Sequence, residues 1–200
     1  MKKVKFKNPW IKRHVADPFV KLSQQQGFRS RAAYKLLAIH EKDRLFKSGQ
    51  RVLDLGAAPG AWSQIAKNKV GSQGQVIAID RLSMLPIEGV QFIQGDLEES
   101  STLETVFNTL QAKPIDLVLS DMAPNLSGVA SIDQPRSHAL VQLSLYIAQQ
   151  TLKKGGCFLV KCFHGKGFEA YFKELRHSFD KVVTRKPVAS RTGSKEVYLL

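Results

Sequence analysis

Lys161 is the residue most out of place in this sequence. It ends an apolar run, Cys157-Phe158-Leu159-Val160, and is followed by Cys162-Phe163, the pattern of a buried strand. Lysines are rarely buried without a task. Burial and a nearby second cation both favour the neutral amine, and a lysine accepts a proton only in that form. Asp121 raises the same suspicion. It follows the apolar strand from Ile115 to Leu119 and opens a loop made irregular by Pro124 and Gly128, and loops on a rigid scaffold carry chemistry. Lys35 and Glu196, taken singly, read as a solvated helix lysine and an ordinary strand charge.

A second constellation surrounds Asp54-Leu55-Gly56-Ala57-Ala58-Pro59-Gly60-Ala61-Trp62. It follows a short apolar strand and opens a helix, and its glycines let a ligand approach the backbone closely. It is not G-x-G-x-x-G. Ala58 stands where a glycine would admit a pyrophosphate, so a dinucleotide is disfavoured. Asp80 ends the second strand, where a carboxylate accepts both hydroxyls of a ribose. Asp96 follows the third strand in Gln94-Gly95-Asp96, placed to accept from the amino group of an adenine. Any one of these acids is ordinary turn chemistry. Three on consecutive strands beside a glycine loop describe a nucleoside pocket.

The elements that must position these residues alternate. Strands are expected at 52–55, 76–79, 90–93, 115–119, 156–163, 181–185 and 197–200. Helices are expected at 30–46, 60–69, 102–110, 133–152 and 167–178. Such alternation gives βαβ units and a mostly parallel sheet, with ligands at the carboxyl ends of the strands. The reading is one α/β domain over residues 1–200. Residues 1–28, interrupted by Pro9 and Pro18, form a basic N-terminal arm with room for one short helix.

Thirty Lys and Arg against seventeen Asp and Glu give a net charge of +13. Ten of the basic residues and one acid, Asp17, fall in residues 1–35. A second cluster, Lys181, Arg185, Lys186, Arg191 and Lys195, has no acid between its members. Such clusters attract polyanions through counterion release, and nucleic acid is favoured over a membrane surface. No signal peptide or apolar span is present, which points to the cytoplasm. Cys157 and Cys162 lie five apart in one strand, so they face opposite sides and form neither a disulfide nor a zinc site. The five histidines have no metal-ligand spacing. His164, close to the expected site, reads as a bystander.

These motifs resemble those of the FtsJ/RrmJ ribosomal RNA 2′-O-methyltransferases. The resemblance runs from about Asp17 to Leu200. It rests on Ser30-Arg31-Ala32-Ala33-Tyr34-Lys35-Leu36, on the glycine loop, and on Ser120-Asp121-Met122-Ala123-Pro124-Asn125-Leu126-Ser127-Gly128. Val160-Lys161-Cys162-Phe163, Ser190-Arg191 and Ser194-Lys195-Glu196-Val197-Tyr198 complete it. It implies a Rossmann-like S-adenosylmethionine-dependent methyltransferase fold, seven-stranded and mostly parallel, with helices on both faces. It implies a catalytic tetrad of Lys35, Asp121, Lys161 and Glu196, and cofactor contacts from Gly56, Gly60, Trp62, Asp80, Asp96 and Asp121. The cofactor would be S-adenosylmethionine, leaving as S-adenosylhomocysteine, with no metal. The substrate would be a ribose 2′-hydroxyl of 23S RNA in the large ribosomal subunit, on a uridine of the peptidyl-transferase A-loop, late in assembly, with the enzyme a monomer away from membranes. Ala61 replaces a glycine common in the family, which would tighten the cofactor pocket. The sequence also stops four residues after Glu196, so a short, frayed last strand is expected. A base methyltransferase, a non-enzymatic RNA-binding module and a nicotinamide dehydrogenase are the competing readings.

Overall fold

The β-branched and aliphatic runs pair as the periodicity predicts. The structure is a computed structural model describing residues 15–200 apart from Leu126, Lys166 and Thr192; the expected arm at residues 1–14 lies outside the described residues. The strands are β1 (Arg51–Leu55), β2 (Gln75–Asp80), β3 (Val90–Gln94), β4 (Ile115–Ser120), β5 (Leu152–Phe163), β6 (Thr184–Arg185) and β7 (Glu196–Leu199). They form one sheet in the order β3-β2-β1-β4-β5-β7-β6. The first five are parallel, and β7 runs antiparallel to both β5 and β6. Strand order reverses at β1, which pairs with β2 on one side and β4 on the other. The crevice at such a switch point is where open α/β sheets bind ligands.

Alternate residues of each strand enter two cores, as a period of two requires. Leu53, Ile77, Val118 and Val160 join one cluster, covered by α4 (Ser100–Leu110), α5 (Ala130–Thr151) and α6 (Phe168–Ser178). Val52, Val76, Leu117 and Leu159 join the other, covered by α2 (Ala33–Asp43) and α3 (Ala61–Val70). Cys162 belongs to the first cluster and Cys157 packs against the second, so the two thiols do face opposite sides. Cys157 is only half-buried.

Several boundaries differ from the sequence reading. Residues 18–25 are a helix, α1 (Pro18–Gln25), with the Asp17 side chain accepting from the Phe19 N–H as its N-cap. Asp17 also pairs with Arg31 at 3.0 Å, so this part of the expected arm is docked on the domain. Helix α5 starts three residues early, at Ala130. Its Asp133 carboxylate accepts from the backbone of Ser127 and Gly128 and folds the preceding loop onto the helix. Strand β5 starts four residues early, because its pairing with β4 jumps from Leu152 to Cys157 across an irregularity of the bulge type. The last strand is short but not frayed. Glu196–Leu199 is buried throughout, and Leu200 exchanges two backbone hydrogen bonds with Val183. No helix among the described residues is long and apolar enough to cross a membrane.

Candidate active site

The loops after β1 to β4 enclose a cavity of about 510 Å³ at the switch point, within the range of sites for small molecules and cofactors. Gly56, at φ +74°, forms its floor; a Cβ there would come within 2.5 Å of the Met122 side chain. The close approach of the two loops therefore requires glycine. Asp80 and Asp96 both line the cavity. Asp80 accepts one hydrogen bond on each oxygen, from the Ala58 and Leu82 N–H groups at 2.9 and 2.8 Å. Asp96 accepts from the Glu98 N–H on one oxygen. A carboxylate has about four acceptor positions, so both retain lone pairs for ribose hydroxyls and for an amino group. A glycine floor and two oriented carboxylates fit a nucleoside cofactor.

The third acid on these strands, Asp54, does not face the cavity. It is fully buried beside α3, where the Ser63 hydroxyl donates to it at 2.6 Å and its other oxygen has no partner among the described residues. Burial pushes its carboxyl up to about 7 against the Ser63 bond, helped by the negative charges of Asp121 and Asp80. Gly60 and Trp62 lie outside the cavity lining as well. Gly60 takes φ +105° at the head of α3, facing Ile87 and Arg29. Trp62 is buried against α2, its indole N–H donating to the Ala32 carbonyl and its ring 5.7 Å from that of Tyr198. The Ala61 methyl enters the same core, so it does not narrow the cavity.

The four residues Lys35, Asp121, Lys161 and Glu196 meet at the carboxyl edge of β4 and β5, on the face covered by α2 and α3. Lys161 Nζ lies 3.0 Å from Asp121 Oδ1 and also donates to the Asp121 carbonyl. Lys35 Nζ pairs with Glu196 Oε2 at 2.7 Å, and Ser190 Oγ donates to the other Glu196 oxygen at 2.9 Å. Tyr198 joins the two pairs. Its hydroxyl donates to Asp121 Oδ1 at 2.8 Å, while its ring centre lies 5.8 Å from Lys35 Nζ. Burial raises the Asp121 carboxyl, but the charges of Lys161 and Lys35 and the bonds from Lys161 and Tyr198 outweigh it, leaving it below its ordinary range. Lys35, Lys161 and Glu196 are each less than a tenth exposed. In an ionised pair of this kind, Lys161 commits two of its three N–H donors to Asp121. One remains for an incoming oxygen. None of the four residues lines the cavity itself; Asp121, expected to contact the cofactor, adjoins it through the neighbouring Met122.

Tyr198 was missed by the sequence reading. Its signal was its place two residues after Glu196 in a strand, which puts both on one face. Arg29 was missed too. Its guanidinium donates to the carbonyls of Pro59, Leu85 and Pro86 and ties the loop after β2 to the glycine loop. Only folding brings those segments together.

The second basic cluster is partly consumed by structure. Arg185 makes two hydrogen bonds to Asp43. Lys186 donates to the carbonyls of Ser194 and Glu196. Lys181 precedes Val183, which pairs with Leu200 at the end of β7 remote from Glu196. Lys181 and Arg185 therefore lie away from the site, at the Asp43 end of α2, while Lys186 is exposed and stands beside it. Arg191 and Lys195 remain exposed on its side.

The FtsJ-like methyltransferase family matches residues 28–200. A ribosomal RNA large subunit methyltransferase E of Chromohalobacter salexigens is 58% identical over 191 residues, 96% of this chain and 91% of the relative. One of Methylobacillus flagellatus is 52% identical over 200 residues, covering 100% and 97%. Among solved structures, a Plasmodium falciparum protein described as a ribosomal RNA methyltransferase superposes with a TM-score of 0.75 at 33% identity, covering 86% of this chain and 96% of its own. Fibrillarin of Aeropyrum pernix, solved with S-adenosylmethionine, shares the fold at 16% identity and a TM-score of 0.59, covering 84% and 74%. With its mostly parallel seven-stranded sheet, its switch-point cavity and full-length relatives at this identity, the chain belongs to the FtsJ-like methyltransferase family.

Proposed function

We propose that this single-domain chain transfers a methyl group from S-adenosylmethionine to a ribose 2′-hydroxyl of large-subunit ribosomal RNA. The full reading takes a uridine of the 23S A-loop as target, late in subunit assembly, with the enzyme a cytoplasmic monomer. The observation that carries it is the pair of lysine–carboxylate contacts joined by Tyr198, with Asp121 directly preceding the Met122–Asn125 loop that lines the cavity. The names of the relatives support the ribosomal substrate.

The cofactor, when bound, supplies an electrophilic methyl on a sulfonium sulfur. Gly56, Asp80 and Asp96 hold its nucleoside. The attacking 2′-hydroxyl gives up its proton to solvent as it bonds the methyl carbon, and Lys161 offers its remaining N–H to that oxygen and stabilises the negative charge that grows there. Asp121, kept ionised by the two lysines and steadied by Tyr198, fixes the direction of that donor. Lys35 and Glu196 hold each other beside this pair, where Glu196 is further fixed by Ser190 and stands ready to accept from a ribose hydroxyl. A cysteine-dependent base methyltransferase is disfavoured. Burial pushes the Cys162 thiol up to about 12. Burial with the Asp43 charge pushes Cys157 up to about 11, so neither gives a thiolate near neutrality.

Incubation with labelled cofactor and either free 23S RNA or large subunits from an unmethylated strain tests the reading. Label mapping to one ribose 2′-oxygen is expected; label on a base, or none, overturns it. Asp80→Ala is expected to weaken S-adenosylhomocysteine binding by about 1–3 kcal/mol in calorimetry, with the fold retained; unchanged affinity would remove Asp80 from the site. RNA affinity is expected to fall steeply with salt. Deleting residues 1–13, which carry six lysines and arginines and no acid, is expected to lower RNA affinity and reduce its salt dependence. Cofactor affinity is expected to stay. RNA binding that ignores both salt and the deletion would deny the arm this role.

A further inference from the structure

A second cavity, of about 240 Å³, lies between α5 and α6 beyond the end of β5. Helix α5 separates it from the first. Arg136, Ala139 and Leu140 line the nucleoside cavity, and Gln134, Ser137, His138 and Val141 line this one. The two fall on different stripes of one helix, as a 3.6-residue period allows. The volume falls below the range of roughly 300–1,000 Å³ usual for whole drug-sized ligands, and it suits one planar ring system.

Its walls suit such a ring. His164 and Phe168 form a tilted pair with centroids 4.4 Å apart, and His138 stands edge-on to Tyr171 at 6.3 Å. The Gln134 amide lies over Gly165, where a Cβ would come within 2.9 Å of its nitrogen, and it makes no side-chain hydrogen bond among the described residues. Lys195 supplies a cation at the rim. The Asp133 carboxylate, held below its ordinary range by the bonds from Ser127 and Gly128, stays charged and disfavours a phosphate beside it, which leaves the Lys195 side for one.

The cavity is coupled to the proposed active site by adjacent residues. Lys161 belongs to the tetrad and Cys162 to the cavity; Glu196 belongs to the tetrad and Lys195 to the cavity. The His164 N–H donates to the Lys195 carbonyl at 2.9 Å and closes the edge between them. At about 3.3 Å per strand residue, the backbone at His164 is roughly 10 Å from that at Lys161. A polynucleotide with one ribose at Lys161 would cross this edge within a nucleotide or two.

We propose that the cavity holds an unstacked base of the same RNA strand, close to the methylated nucleotide. The base lies against the His164–Phe168 wall, with its edge toward the Gln134 amide and its phosphate toward Lys195. Single-stranded RNA is recognised by splayed bases stacked on aromatic and histidine side chains. This inference rests on the RNA-methyltransferase reading above and names a further substrate contact of that enzyme.

The test is steady-state kinetics on free RNA fragments, each abasic at one position beside the target. Wild-type enzyme is compared with Phe168→Leu, which keeps an apolar side chain in the core, and with His164→Ala, an exposed position. For the wild type, one abasic position is expected to raise KM roughly 5- to 100-fold, the size of a lost base–aromatic stack, with kcat changed much less. Both variants are expected to raise KM on intact RNA and to be nearly indifferent to that abasic position. S-adenosylhomocysteine affinity stays at the wild-type value. Equal sensitivity of wild type and variants to every abasic position overturns the proposal while leaving the functional reading standing. So does a defect seen only on assembled subunits, which would make a protein the occupant. Failure of the wild type to methylate ribosomal RNA either as free fragments or within large subunits overturns both, and methylation confined to subunits overturns the proposal that RNA alone fills the cavity.

Discussion

Lys161→Ala is expected to lower methyl transfer by about 10²–10⁴-fold, with S-adenosylhomocysteine and RNA affinities close to those of the wild type. The reason is geometric. Lys161 is buried, and its ammonium is aimed by Asp121 through the 3.0 Å pair and the contact to the Asp121 carbonyl. A donor fixed in this way acts on charge that exists only in the transition state, so its loss appears in kcat rather than in binding. Removing it leaves the Asp121 carboxylate with Lys35 nearby and with the Tyr198 hydroxyl bonded to it, which limits the damage to the fold. Lys161→Arg separates two roles for the lysine. Guanidinium stays protonated, so recovery above the alanine variant identifies charge stabilisation, and an arginine variant as inactive as alanine identifies proton removal. The pairing with Asp121 makes partial recovery the expected outcome. Single-turnover rates with saturating RNA, beside calorimetry for the cofactor, decide it. Wild-type rates in Lys161→Ala would remove Lys161 from the mechanism.

Asp54→Asn is expected to stabilise the protein, and more at pH 8 than at pH 5. The folded-state carboxyl is raised by burial to about 7, against about 3.9 in an unfolded chain. Between those values the folded state holds a proton that the unfolded state has released. The stability from this group is therefore fully present below about pH 4, falls as pH rises toward 7, and is flat above that. Asparagine carries no such titration. Its carbonyl can still accept from Ser63, and its amide takes the place of an oxygen that already has no partner. Over the two pH units from 5 to 7 the gain grows by about 2–3 kcal/mol, or roughly 5–10 °C in Tm for a chain of this size. Thermal melts of both proteins at pH 5 and pH 8 measure it. An equal shift at the two pH values would mean that Asp54 keeps an ordinary carboxyl in its buried position.

The sequence by itself determined the alternation of elements and the two-faced sheet, because strand and helix periods are local properties of neighbouring residues. Val52-Leu53-Asp54-Leu55 and Val76-Ile77-Ala78-Ile79 read as buried strands and are buried strands. The oddity of Lys161 and the acids at the ends of β2 and β3 were also legible, since a strand and the residues that end it are contiguous. Boundaries were less secure where a distant partner sets them. Asp133 folding back on Ser127 started α5 early, and the jump in pairing with β4 lengthened β5.

Only the tertiary structure decided which acids face the cavity. Asp54 and Asp80 look alike in sequence, but pleat and depth send one into the α3 face and the other to the cavity. The tertiary structure also spent charges that composition had assigned to RNA. Arg185 was taken by Asp43, 142 residues away in sequence. Above all, it brought Lys35 to Glu196 across 161 residues and placed Tyr198 between the two pairs. Nothing local distinguishes Lys35 from other helix lysines, and the sequence shows of Tyr198 only that it shares a strand face with Glu196. Their roles exist only because β7 inserts antiparallel beside β5 and faces α2, a pairing between distant segments that no local pattern encodes.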